Sequence, residues 1–228
     1  MLDGLPVVRE AFPKTVRLVS SARLRPPVLE RLVSREEVAL LAEIEGATSQ
    51  RLLAQETGTD GIDRDEFVYG VPAAAFINAA FAYSKPKEPN RFNASRGAWY
   101  AALDVATCKR EVAYHMADFL GKSGQYKGVV DYAELFASMA GEFVDLRRTA
   151  SHRSLDPHPA IGYPAGNAVA DAALAQGLHG VIYPSVRRPG GTCIAALRPH
   201  AVQSVAEGAV FRFEWSGGPE PTITRVSE

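Results

Sequence analysis

Residues 177–202 read GLHGVIYPSVRRPGGTCIAALRPHAV. Gly180–Tyr183 is a short apolar, β-friendly run that leads directly into Pro184-Ser185. Pro189-Gly190-Gly191 is a turn signal, and Thr192–Leu197 is a second apolar run. The pattern predicts two strands joined by a glycine turn. That turn carries one hydroxyl, Ser185, and two arginines, Arg187 and Arg188. Segments at strand ends commonly carry function.

Working upstream, Asn167–Gln176 reads as a short Ala-rich helix stopped by Gly177. Residues 152–166 hold three prolines and read as a long loop. Residues 127–146 resemble two strands around an ELFASM segment. Gly97–Leu103 is an apolar strand, and Asp104 is a good N-cap for a helix over roughly 105–120 that Gly121 ends. Pro72 opens a helix through AAAFINAAFAY, and the polar stretch 84–90 ends it. Arg35–Gln55 is rich in Leu, Ala and Glu and predicts a helix broken near Gly46, with Ser34 and Glu37 as a capping box. Residues 57–61 form a loop, Pro26-Pro27 interrupt the chain, and Val16–Val19 is a short strand. Downstream, Val202–Trp215 reads as one or two edge strands. Helices thus gather toward the N-terminal side and strands toward the C-terminal half. Without a clean βαβα alternation, a mixed α+β (α/β) fold is expected rather than a doubly wound sheet.

The 228 residues carry 25 Lys+Arg and 26 Asp+Glu, a net charge of −1. This balance argues against a nonspecific nucleic-acid binder and against a polybasic membrane-surface protein. No apolar run reaches the ~18 residues of a membrane span. The start, MLDGLPVVREAFPK, has no charged segment followed by an apolar one, so no secretory signal is expected. Two cysteines, Cys108 and Cys193, fit a reducing cytoplasm. The five histidines show no HExxH spacing, so no metal is expected. Neither GxGxxG after a strand nor GxxxxGK[ST] occurs.

Three groups of residues carry possible chemistry. Glu111 stands on the predicted helix after Tyr100, beside the apolar stripe Cys108, Val112, Met116 and Leu120. A carboxylate at that border is partly desolvated and needs a partner. Taken alone, it reads first as a solvated helix-flank Glu paired with Lys or Arg, since carboxylates are mostly exposed. Ser185 has neither a GxSxG elbow nor an evident base, so it reads as a hydrogen-bond donor to phosphate or as a plain turn serine. Arg17, Arg23 and Arg25 form an arginine-dense run, suited to phosphate or simply solvated.

Together these stretches match a pattern. RLVSSARLRPPVLERL, RFNASRGAWYAALDVATCKREVAYH and GLHGVIYPSVRRPGGTCIAALRPHAV, in this order, resemble the RES-domain proteins. The resemblance runs from about Arg17 to Val202 and is weakest over residues 34–83. It aligns Arg17, Arg91, Tyr100, Glu111 and Ser185 with the family's site positions. Asn90 stands where many members have glycine.

The resemblance implies a single RES domain over 1–228, with a compact ADP-ribosyltransferase-like core and a helical insertion at about 34–83. It implies an NAD-consuming toxin of a bacterial toxin–antitoxin pair, acting in the cytoplasm. NAD would be the substrate, broken between nicotinamide and ribose with no metal. Glu111 would stabilise the oxocarbenium charge, Arg17 and Arg91 would hold the pyrophosphate with Ser185 adding a hydroxyl contact, and Tyr100 would pack against the nicotinamide or its ribose. Water, phosphate or a protein side chain would be the acceptor, making the protein an NAD glycohydrolase, a phosphorylase or an ADP-ribosyltransferase. The implied partner is a helical, DNA-binding-type antitoxin that blocks the active site. A nuclease-type toxin acting on RNA is the alternative. It would use the arginines, but it ordinarily needs a His pair or a metal-binding carboxylate cluster, and neither is seen.

Overall fold

The computed structural model describes residues 2, 4–21, 58, 61–82, 90–93, 96–149 and 151–226. The helix expected at Arg35–Gln55, the Pro26-Pro27 break, Arg23, Arg25 and the stretch 84–89 lie outside these residues. The described elements run β1 (Val7–Ser20), α1 (Ala74–Ala82), β2 (Trp99–Ala102), α2 (Val105–Lys122), β3 (Lys127–Asp145), α3 (Pro159–Ala175), β4 (Gly180–Pro184), β5 (Thr192–Ala196), β6 (Val202–Ser216) and β7 (Thr222–Val226). The fold is mixed α/β, as the sequence predicts. Its helices, however, are spread along the chain, and the first described element is a 14-residue strand.

The strands form one sheet in the order β1-β2-β5-β4-β3-β6-β7, and β1 also pairs with β3. That extra pairing closes β1, β2, β5, β4 and β3 into a ring, with β6 and β7 extending from it. The 19-residue β3 makes closure possible. Along one edge it pairs antiparallel with β1 from Tyr132 to Val144. Along the other it pairs with β6 from Lys127 to Met139 and then, in parallel, with β4 from Phe143 to Asp145. The change of neighbour falls at Gly141, whose φ of +156° and missing side chain let the His179 ring sit against it. A Cβ there would lie 2.5 Å from His179 Cγ.

Three expectations are corrected here. Lys127–Asp145 is one strand, because bulges between Ala133 and Leu135 and between Phe136 and Ser138 absorb the irregular pattern without ending the pairing. Residues 159–166 are helical. Pro159 occupies the first turn, where its missing N–H costs nothing, and α3 continues through Pro164. β6 is an inner strand between β3 and β7, so the edge belongs to β7. Smaller differences follow: α1 starts at Ala74 rather than Pro72, and α2 runs past Gly121 to Lys122.

Alternation along the short strands divides the core in two. Tyr100, Ala102, Val181, Tyr183, Cys193 and Ala195 face one layer, with α2 and α3. Trp99, Ala101, Ile182, Ile194 and Ala196 face the other, with α1. The stripe Cys108, Val112, Met116 and Leu120 packs into the first layer as predicted. Gly97 allows α1 to touch the entry to β2 backbone to backbone, since a Cβ there would lie 2.4 Å from Ala80 O.

On the α1 side, Glu66 accepts two hydrogen bonds from the buried Arg96, at 3.2 and 2.9 Å, and a third from Arg198 at 3.2 Å. Burial alone would raise the Glu66 carboxyl, but Arg96, the Asp63 amide and Arg198 outweigh it and hold its pKa below 4.5. This pairing contributes stability above the unfolded carboxyl pKa and loses it as pH falls through the lower, folded value. Glu66→Ala leaves Arg96 buried and charged, so it should cost about 3 kcal/mol at pH 7. Urea melts should show the gap between wild type and variant narrowing as pH is lowered below about 4.5.

Candidate active site

The turn between β4 and β5 and the first turn of α2 are built against each other. Asp104 caps α2: its Oδ1 accepts from Thr107 N at 2.8 Å and its Oδ2 from Thr107 Oγ1 at 2.7 Å. Arg188 Nη1 donates to Thr107 Oγ1 at 3.3 Å. Gly191 presses bare backbone onto the same threonine, for a Cβ there would lie 2.6 Å from Oγ1. With that end of the helix pinned, Glu111 faces Ser185 at a set height.

Ser185 is buried, and its hydroxyl is saturated. Its Oγ accepts from the amides of Arg187 at 3.2 Å and Arg188 at 3.0 Å. Its one hydrogen goes to Glu111 Oε1 at 2.6 Å. The Cys193 thiol lies 3.7 Å from the same oxygen. The partner of Glu111 is thus a hydroxyl rather than the Lys or Arg of a solvated flank.

Glu111 and Cys193 line a cavity of about 370 Å³ together with Arg17, Arg91, Tyr100 and Arg187. That volume falls within the range of small-molecule sites, roughly 300–1,000 Å³. Arg17, Arg91, Tyr100 and Glu111 line it directly, and Ser185 reaches it through Glu111.

Arg17 donates to Tyr100 O at 3.2 Å, and its guanidinium lies 4.8 Å from the Trp99 ring centroid. Arg91 is buried and donates through Nη1 to the carbonyls of Ser154 and Asp156, while lying over the Tyr163 ring. Tyr100 holds the loop before β2: its hydroxyl donates to Asn93 Oδ1 at 3.0 Å and accepts from Phe92 N at 3.0 Å. Asn93 Oδ1 also accepts from Asn90 N at 3.0 Å. The asparagine at position 90 therefore sits in a closed turn that presents Arg91. Burial pushes the Tyr100, Tyr163, Tyr183 and Cys193 groups above their ordinary values and the Cys108 thiol up to about 12. All five remain protonated at neutral pH. Among the described residues, no group of three or more His, Cys, Asp or Glu gathers as metal ligands.

The RES domain family model matches residues 67–216. The chain belongs to the RES-domain family. The family is associated with NAD-using enzymatic toxins. The chain is also similar to an uncharacterized protein, y4oC, of Sinorhizobium fredii, with 26% identity over 215 residues covering 92% of this chain and 84% of that protein. Among the described residues of this RES protein, no helix is long and apolar enough to cross a membrane.

Sequence reasoning missed several residues that line the cavity or hold its lining in place. Tyr163 lay hidden in a segment read as loop. Cys193 sits opposite Tyr183 in the β4–β5 register, so alternation alone would have put both on the Tyr100 face. Asn93 lacked a role until Tyr100 supplied it. Gly162 and Gly166, one turn apart on α3, make room for Arg91: a Cβ at Gly166 would lie 2.1 Å from Arg91 O. Gly166→Ala should therefore destabilise the protein by roughly 1–3 kcal/mol through overpacking. An unchanged urea midpoint would show that Arg91 is not held by this face.

Proposed function

We propose that this RES protein breaks the bond between nicotinamide and ribose in NAD and passes the ADP-ribose to an acceptor. The observation that carries the reading is a carboxylate, Glu111, fixed by Ser185 in a cavity walled by the guanidinium groups of Arg17, Arg91 and Arg187. As the glycosidic bond breaks, its electron pair moves to the pyridinium nitrogen and nicotinamide leaves neutral. Positive charge then develops on the ribose, and Glu111 stabilises it. A charge-assisted bond of 2.6 Å holds the carboxylate in place before the reaction, so little reorganisation is needed when that charge appears.

Arg17 and Arg91 hold the pyrophosphate. Arg91 suits the task because carbonyls at 154 and 156 and the Tyr163 ring orient its guanidinium without cancelling its charge. Tyr100 orders the loop that presents Arg91 and offers its ring to the nicotinamide or its ribose. Ser185 acts through Glu111 as a positioning residue. Water, phosphate or a protein side chain receives the ADP-ribose. In the cell this activity makes the protein a toxin, and a helical, DNA-binding-type antitoxin blocks the cavity.

Proton NMR of NAD with the pure protein, with and without phosphate, should show free nicotinamide and identify the small-molecule product. Mass spectrometry of co-incubated proteins should detect any ADP-ribosylated target. Glu111→Gln should lower nicotinamide release by about 10²- to 10³-fold with an unchanged circular dichroism spectrum. Ser185→Ala should lower it by about 10- to 100-fold, because Glu111 is then free to move. Near wild-type release by Glu111→Gln would remove the carboxylate from the mechanism.

A further inference from the structure

We propose that His115 is the general base that takes the proton from the acceptor as it attacks the ribose. The inference rests on the NAD reading above and assigns the second half of that reaction. His115 lies one helical turn beyond Glu111, four residues on, so both side chains leave the same face of α2. Both line the cavity, and His115 is also exposed to solvent, so a proton it takes can pass on to water.

The other cavity-lining groups are unsuited to the task. The phenols of Tyr100, Tyr163 and Tyr183 and the thiols of Cys108 and Cys193 stay protonated. Arg17, Arg91 and Arg187 are permanent cations with no lone pair to offer. Glu111 Oε1 already accepts the Ser185 hydrogen, and its charge serves the ribose. That leaves the imidazole.

The surroundings of His115 favour its neutral form. The protein packed around the ring is the largest influence and lowers its pKa below 6.5. Arg187, from the β4–β5 turn, and Arg91, from the loop before β2, push the same way. Glu111 and Asp118, both on α2, oppose them. The Tyr114 ring meets the imidazole edge-on, with centroids 5.5 Å apart. A neutral imidazole at pH 7 can take a proton, whereas an imidazolium cannot.

The step balances simply when water is the acceptor. The C1′–N bond breaks and its electron pair leaves with nicotinamide. A water oxygen forms the new bond to C1′, and one water proton passes to His115 and then to solvent. Without the base, the oxocarbenium ion is recaptured by nicotinamide, and NAD re-forms.

The test compares wild type with His115→Gln and His115→Asn, both at an exposed position. Hydrolysis of NAD is followed by proton NMR from pH 5 to 8, together with incorporation of isotope-labelled nicotinamide into NAD. Wild type should lose hydrolysis as pH falls through a value below 6.5. Both variants should lose that acid limb and hydrolyse about 10²-fold more slowly. They should retain labelled-nicotinamide exchange, so the ratio of exchange to hydrolysis rises. Azide, a nucleophile that needs no deprotonation, should restore turnover in the variants and give an azido product. Variants that keep the acid limb, lose exchange and hydrolysis together, or ignore azide would overturn the role of His115. A wild-type protein that releases no nicotinamide would instead overturn the NAD reading itself.

Discussion

The hydrogen bond from Ser185 Oγ to Glu111 Oε1, at 2.6 Å, joins two parts of the chain 74 residues apart. Its direction is dictated by the turn. Two backbone amides, from Arg187 and Arg188, occupy the acceptor side of the hydroxyl, so its single hydrogen points to the carboxylate. An ionised carboxyl only accepts, so the two groups meet in the one polarity that satisfies both amides and the carboxylate. The length is that of an O–H···O⁻ bond, which is stronger than a neutral one. The bond also needs α2 and the β4–β5 turn in fixed register, and Asp104, Thr107, Arg188 and Gly191 set that register at the helix start. The closed ring of strands carries both elements, so the sheet acts as the ruler for this one contact.

Two of the carboxylate's buried neighbours in the cavity are neutral donors. Burial keeps the Tyr183 phenol and the Cys193 thiol protonated, and both stand near Glu111. A carboxylate among protonated neighbours is a fixed negative charge facing a confined space. Such a charge stabilises a cation that develops beside it, which is the differential binding a reaction through an oxocarbenium ion needs.

The parts legible in the sequence were those with strong local signals. Asp104 followed by an apolar stripe at i,i+4 spacing specified α2, and the apolar runs either side of Pro-Gly-Gly specified β4 and β5. The parts that escaped depend on partners distant in the chain. Glu134 looks like a strand breaker in β3, yet the Ala209 amide donates to it across a bulge and pairing continues. Pro157, Pro159 and Pro164 suggested a loop, because nothing local reveals that Gly162 and Gly166 must pack on Arg91 as a helix face. The closure of β1 onto β3 is likewise a long-range fact, invisible to periodicity.

The arginines show the same limit, and also how the structure resolves it. By composition all are alike, and a net charge of −1 suggests that each is balanced. The balance is uneven in space. Arg96 and Arg198 share Glu66, Arg147 lies between Glu10 and Asp145, and Arg212 meets Asp131. Each of these is matched to a carboxylate, and each tightens the scaffold. Arg91 and Arg187 are held differently. Backbone carbonyls at 154, 156 and 157 and the faces of Tyr163 and Tyr114 orient them. Carbonyl dipoles and ring faces fix a guanidinium in position while leaving its full charge to act at a distance. Two such cations facing one cavity form an electrostatic site for an anion, even though the charges of the whole chain sum to −1. The near-zero total therefore says nothing of where the charges stand, and the positive charge of the cavity follows from how its arginines are held.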